Sequence, residues 1–157
     1  MSVSEEIQTE VKTLLAESYQ GEVLGEAYFA AMRDLTEDPS HRDKLDHLVR
    51  LERSTKEMLV PYLLRHGIPT DPDAKVVEAL ASVGPQTWAN TLEGVRLVAA
   101  SYLVKYRRLA ELVGAEDAPA TDALVAHELA LDEFCRRELE GDGDGSLKAI
   151  TALPHFH

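Results

Sequence analysis

The chain has 157 residues, 45% hydrophobic and 28% charged, which suits a globular protein with a core of its own and excludes a disordered polymer. A formal net charge of -12 argues against nucleic acid as a partner and against docking on an anionic membrane, because both need a basic surface. The single cysteine, Cys135, excludes an intrachain disulfide; with no basic-then-apolar signal in the opening residues and no apolar run near the ~20 residues that span a bilayer, the expected location is cytoplasmic.

Apolar spacing predicts a first helix from about Ser4 to Leu35, with Ser2 and Ser4 as caps and Glu5 and Glu6 in its first turn. A turn over 36–40 follows. The second helix is expected over 41–66 with Ser40 as its cap, ended by Gly67 with Pro69 beyond. Pro61 is expected to kink this helix or shift its end. In the connector a short helix is expected over 72–83, between Asp71-Pro72 and Gly84-Pro85. The third and fourth long helices are expected over 86–113 and 120–140, the last stopped by the run from Gly141 to Gly145. The tail, 146–157, reads as a last short helix packed on the rest. Two short turns and one long middle connection make an all-α, single-domain bundle of four helices with one crossover.

Projected at about 100° per residue, each helix shows one apolar stripe. The first carries Ile7, Val11, Leu14, Leu15, Ser18, Gly25, Phe29 and Met32, with Glu22 inside it and Glu26 at its edge. The second carries Leu45, Leu48, Leu59 and Leu63, with Glu52 near the centre and Thr55 beside it. The third carries Trp88, Val95, Val98, Ala99, Tyr102, Tyr106, Leu109 and Val113, while its mid-helix carboxylate, Glu93, faces away. The fourth carries Leu124, Leu131, Phe134 and Cys135, flanked by His127 and Glu128, with Glu138 near its end. A lone buried carboxylate costs several kcal/mol unless it is paired, protonated or bound to a cation. Acidic groups on the core faces of three helices, beside one histidine, are therefore the informative pattern. Counting outward from the first turn sets Glu26 level with Glu52 and Glu22 one turn deeper.

The segments Gly21-Glu22-Val23-Leu24-Gly25-Glu26-Ala27-Tyr28-Phe29, Leu51-Glu52-Arg53-Ser54-Thr55 and His127-Glu128 resemble the ferritin-like superfamily. Its members hold two iron or manganese ions inside the bundle, using a Glu from each of two helices and a Glu-x-x-His from each of the others. The resemblance implies an up-down-down-up ferritin-like bundle with a short helix in the long middle connection. It implies iron or manganese bound by Glu22 or Glu26, by Glu52, and by His127 or Glu128, since hard carboxylates and imidazole suit those ions, and a role in redox or oxygen chemistry. Thr55 stands where the histidine paired with Glu52 belongs, Leu131 where that paired with Glu128 belongs, and the third long helix has no core carboxylate. The form expected is thus a reduced site.

Other readings of the same residues stay open. Without metal, Glu22 or Glu26 would hydrogen-bond a core tyrosine, and the bundle would serve as a structural or interaction module. A small organic ligand could lie between Gly21, Gly25 and Ala99, although the sequence selects no chemistry for it. Leu24, Tyr28 and Leu35 project off the main stripe and would supply a homodimer face or meet the C-terminal tail. Cys135 projects inward as a buried thiol. Asp142, Asp144 and Ser146 have the spacing that starts a calcium loop, but Leu153 at the twelfth position marks the segment as a helix stop. His155 and His157 are expected at a flexible end, where they would bind metal only adventitiously.

Overall fold

Ser2 accepts a hydrogen bond from the Glu5 amide, and Glu5 accepts one from the Ser2 amide; this capping box starts α1 (Val3–Leu35). In the computed structural model, which describes residues 2–157, 75% of the chain is helical and no strand occurs among those residues. α2 (Pro39–Arg65) begins two residues earlier than a cap at Ser40 would allow. Asp38 caps it by accepting from the Ser40 and His41 amides, and Pro39, which has no amide hydrogen to satisfy, takes the first helical position. The helix runs through Pro61 and closes where Gly67 adopts a φ of 66° and the Ile68 amide donates to the Leu63 carbonyl. α3 (Ala74–Leu80), capped by Asp73, is shorter than expected. α4 (Trp88–Leu112) and α5 (Ala118–Leu139) follow, and Gly141, with a φ of 83°, turns the chain after α5. The tail contains a single helical turn, α6 (Lys148–Thr151).

Charge pairs between helices give their directions. Arg33 meets Asp46 and Arg53 meets Glu26, so α1 and α2 run antiparallel. The Arg96–Asp132 pair, and the hydrogen bond that the Trp88 indole donates to Glu138, set the same relation for α4 and α5. Arg108 with Glu10 and Lys105 with Glu17 make α4 antiparallel to α1, while Lys44 with Glu138 and Arg65 with Asp117 do so for α2 and α5.

The apolar core divides in two along the helices. One cluster contains Phe29, Leu48, Leu51, Ala99 and Phe134; the other contains Leu15, Leu59, Tyr106, Leu109 and Leu124. At the level between them, α1, α2 and α5 each carry buried acidic residues. The tail is fastened to α2 rather than free. Phe156 lies under the Arg50 guanidinium, the His157 amide donates to Ser54 Oγ, and His157 pairs with Glu57.

Several projected faces need correction. Ile7 is exposed because the first turns of α1 extend past their neighbours, and Val98 falls to the side because Val95 and Ala99 take the core. Leu24 and Tyr28 share a wall with Ser82 and Val83, under the connector that contains α3. Gln20 holds that connector, donating to the Asp71 carbonyl and accepting from the Asp73 amide. Among the described residues no helix is long and apolar enough to cross a membrane.

Candidate metal centre

The stripe of α1 carries Glu22 inward, that of α2 carries Glu52, and α5 presents His127 and Glu128 side by side. Their exposures are 1%, 5%, 0% and 5%. Adjacent positions on one helix diverge by about 100°, so both α5 side chains can face inward only where the site lies along the bisector between them. His127 Nε2 lies 3.4 Å from Glu52 Oε1 and 3.7 Å from Glu128 Oε1, and His127 Nδ1 lies 3.8 Å from Glu22 Oε2. One ligand atom from each of Glu22, His127 and Glu128 falls within 4.8 Å of the others, the spacing of a candidate cation site, and Glu52 stands beside that group rather than within it.

Two atoms here have no protein partner while the carboxyls are ionised. Glu22 Oε2 and His127 Nε2 are fully buried and then make no hydrogen bond, whereas a protonated Glu52 shares one with Glu22. The other oxygen of Glu22, Oε1, accepts from the Tyr106 hydroxyl at 3.3 Å. Buried polar atoms left unpaired are rare and costly, so an orphaned carboxylate oxygen beside an orphaned imidazole nitrogen needs a cause.

The carboxyls respond as the burial dictates. Glu22 is raised well above the usual carboxyl range, by burial first and then by the charge of Glu52. Glu52 and Glu128 are each pushed up to about 8, again chiefly by burial, with a neighbouring carboxylate adding to it. Three acids crowded in a dry interior cannot all be ionised without a compensating positive charge.

The imidazole of His127 is held from its far side. Its Nδ1 lies 2.7 Å from Thr55 Oγ1, which lies 2.8 Å from Nε2 of His155 in the tail. His155 is shifted down to about 4, by burial and then by the proximity of His127, so its ring is neutral near neutral pH. A hydroxyl has one proton to give. If Nδ1–H of His127 donates to Thr55, the Thr55 hydroxyl donates to His155, and Nε2 of His127 is left with a lone pair directed at the acidic group. This is the state a metal ligand requires.

Gly25 completes the geometry. A Cβ built there would meet the Glu52 carboxyl carbon at 2.7 Å, so the missing side chain is the space the Glu52 head group occupies. Gly21 serves Tyr102 in the same manner, with a built Cβ 2.7 Å from the ring.

Of the residues singled out in the sequence, the fold brings together Glu22, Glu52, His127 and Glu128 and leaves Glu26 outside. Glu26 stands at the stripe edge, where Lys56 and Arg53 of α2 draw its carboxylate outward into two ion pairs. These hold it below the usual range despite partial burial. His155, expected at a flexible end, instead supports the centre through Thr55. Nothing local in the tail signals this, because it depends on where residues a hundred positions apart meet. A core tyrosine bonded to Glu22 was one of the open readings, and Tyr106 is that donor. Cys135 is buried, its thiol pushed up to about 12 by burial, as its inward projection implied. Comparisons with protein-family models, curated proteins and solved structures gave no match.

Proposed function

We propose that this chain is a ferritin-like bundle protein that holds a divalent iron or manganese ion through Glu22, Glu52, His127 and Glu128 and uses it in redox or oxygen chemistry. The observation that carries the reading is the pair of orphaned buried atoms, Glu22 Oε2 and His127 Nε2, set among two further carboxyls. Three carboxylates and one imidazole form a hard donor set that suits iron or manganese over softer ions. The antiparallel pairing of neighbouring helices, with the α3 connector as the long link, supports the ferritin-like arrangement.

A bound ion of this kind supplies Lewis acidity and, for iron or manganese, a change of oxidation state. The protein's own residues prepare for it. Tyr106 fixes one oxygen of Glu22 and leaves the other free. A hydrogen bond from His127 Nδ1–H to Thr55 would leave Nε2 free to face the ion. Gly25 admits the Glu52 head group. The apolar clusters on either side place the centre in a low-dielectric interior, which strengthens the charge interactions within it. α4 contributes Tyr106 but no carboxylate, so the donor set suits one ion rather than two.

Elemental analysis of protein made without a histidine tag, in medium supplied with iron and manganese, tests this. Stoichiometric metal is expected in the wild type and its loss in Glu52→Ala. Metal-free wild-type protein, or equal content in both, overturns the proposal and leaves a polar core whose carboxyls are simply protonated.

A further inference from the structure

A cavity of about 390 Å³ opens beside the centre, between α1, α4 and the α3 connector. That volume lies within the roughly 300–1,000 Å³ of small-molecule sites. Its walls are mostly apolar, from Leu24, Tyr28, Phe29, Val95 and Leu131, and Glu22, Glu52 and Glu128 also line it. The cavity and the acidic centre are thus continuous. Glu22, one of whose oxygens is buried without a partner, forms part of its wall.

Among the described residues no lysine, arginine or histidine lines this space. An anionic ligand would face three carboxylates whose charge one divalent ion does not fully offset. A cationic one would have to give up its hydration to enter a largely hydrocarbon chamber, and its only countercharges are those the ion already occupies. A neutral molecule meets neither cost.

We propose that the cavity binds a neutral organic substrate with a mainly hydrocarbon body and one oxygen-bearing polar end, the body against Leu24, Phe29 and Val95 and the polar end toward Glu22, Glu52 and Glu128. This rests on the metal reading and names the substrate class for that centre. Small side chains make the space: Gly21 and Gly25 leave room for Tyr102 and Glu52, and Ala99 adds little bulk to the wall. Ser82, on the connector, forms part of the outer wall.

The test uses octanol, octylamine and octanoate as probes, with binding to the metal-loaded full chain followed by ligand-observed NMR and calorimetry. Octanol is expected to bind saturably and to compete for one site, with the amine and the carboxylate each roughly tenfold weaker or worse. Ala99→Leu fills the chamber, and Ser82→Trp obstructs it from the exposed connector without touching the core. Each should weaken octanol binding by roughly tenfold while metal content stays at the wild-type level. Octanol binding that survives both variants, tighter binding of either charged probe, or metal-loaded protein that binds no probe overturns this inference and leaves the metal reading intact. Absence of metal from the wild type overturns the metal reading itself, and with it the substrate assignment.

Discussion

The hydroxyl of Thr55 lies 2.7 Å from Nδ1 of His127, on the opposite ring nitrogen from the one that faces Glu52 and Glu128. Thr55 occupies the position three residues after Glu52 where the resemblance expects a histidine. It holds the imidazole of another helix instead. Replacing it by Val removes the hydrogen bond at nearly constant volume, and outer partners of this kind are worth about 10–100-fold in metal affinity. Competition titration against a chelator should show that loss in Thr55→Val and near-complete retention in Thr55→Ser. Equal affinities for Val and wild type would remove Thr55 from the account.

Gly25 is the packing counterpart of that polar contact. A Cβ there would lie 2.7 Å from the Glu52 carboxyl carbon and 2.8 Å from Oε2, so Gly25→Ala must displace the head group. Alanine favours a helix interior by about 0.8–1.0 kcal/mol over glycine, which opposes the steric cost. The expected outcome is a folded protein whose metal affinity falls by at least about tenfold. Circular dichroism melting and metal titration on the same sample separate the two effects. A variant that melts at or above wild type and binds metal normally would show that Glu52 does not need this space.

The pH dependence of stability has a definite sign. Glu52 and Glu128 rise from 4.5 to about 8 in the folded protein, mainly through burial. At low pH both states hold the protons and nothing is lost. Between the two values the folded state keeps protons that the unfolded chain releases, so stability falls as pH rises. Metal-free protein should therefore melt at progressively lower temperature from about pH 5 to about pH 8. A bound cation replaces those protons, so manganese-loaded protein should show a shallower decline. Identical slopes with and without manganese would mean that the acids do not share a cation.

Glu26 provides the control. Its ion pairs with Arg53 and Lys56 are partly exposed, and such pairs contribute up to about 1 kcal/mol. Glu26→Gln should lower the melting temperature slightly and leave metal content unchanged, whereas Glu22→Gln should remove the metal and stabilise the metal-free chain. The reverse pattern would exchange the roles of the two glutamates.

That contrast shows where the sequence stops being legible. The helices follow from apolar periodicity and from caps such as Ser2 and Gly67, and their bounds shift by a few residues, as where Asp38, Asp73 and Thr87 outcompete the expected starts. Periodicity also marked Glu22, Glu52, His127 and Glu128 as lying on or beside core faces. It could not choose between Glu22 and Glu26, because they sit one turn apart and differ by only about 40° around the helix. The choice is made by Arg53 and Lys56 on a neighbouring helix, which depends on interhelix register. The Thr55–His155 contact and the cavity beside Tyr28 are further removed still, since both arise from irregular segments laid across the long helices.

The most direct test of the central claim is a titration of tag-free, metal-free protein with Mn(II), read by electron paramagnetic resonance as loss of the free-ion signal. The account predicts saturable, stoichiometric uptake by the wild type and by Glu26→Gln, and none at the same concentrations by Glu22→Gln or His127→Ala. Wild-type protein that leaves the free-ion signal unchanged, or Glu22→Gln and His127→Ala variants that take up as much as the wild type, would contradict it.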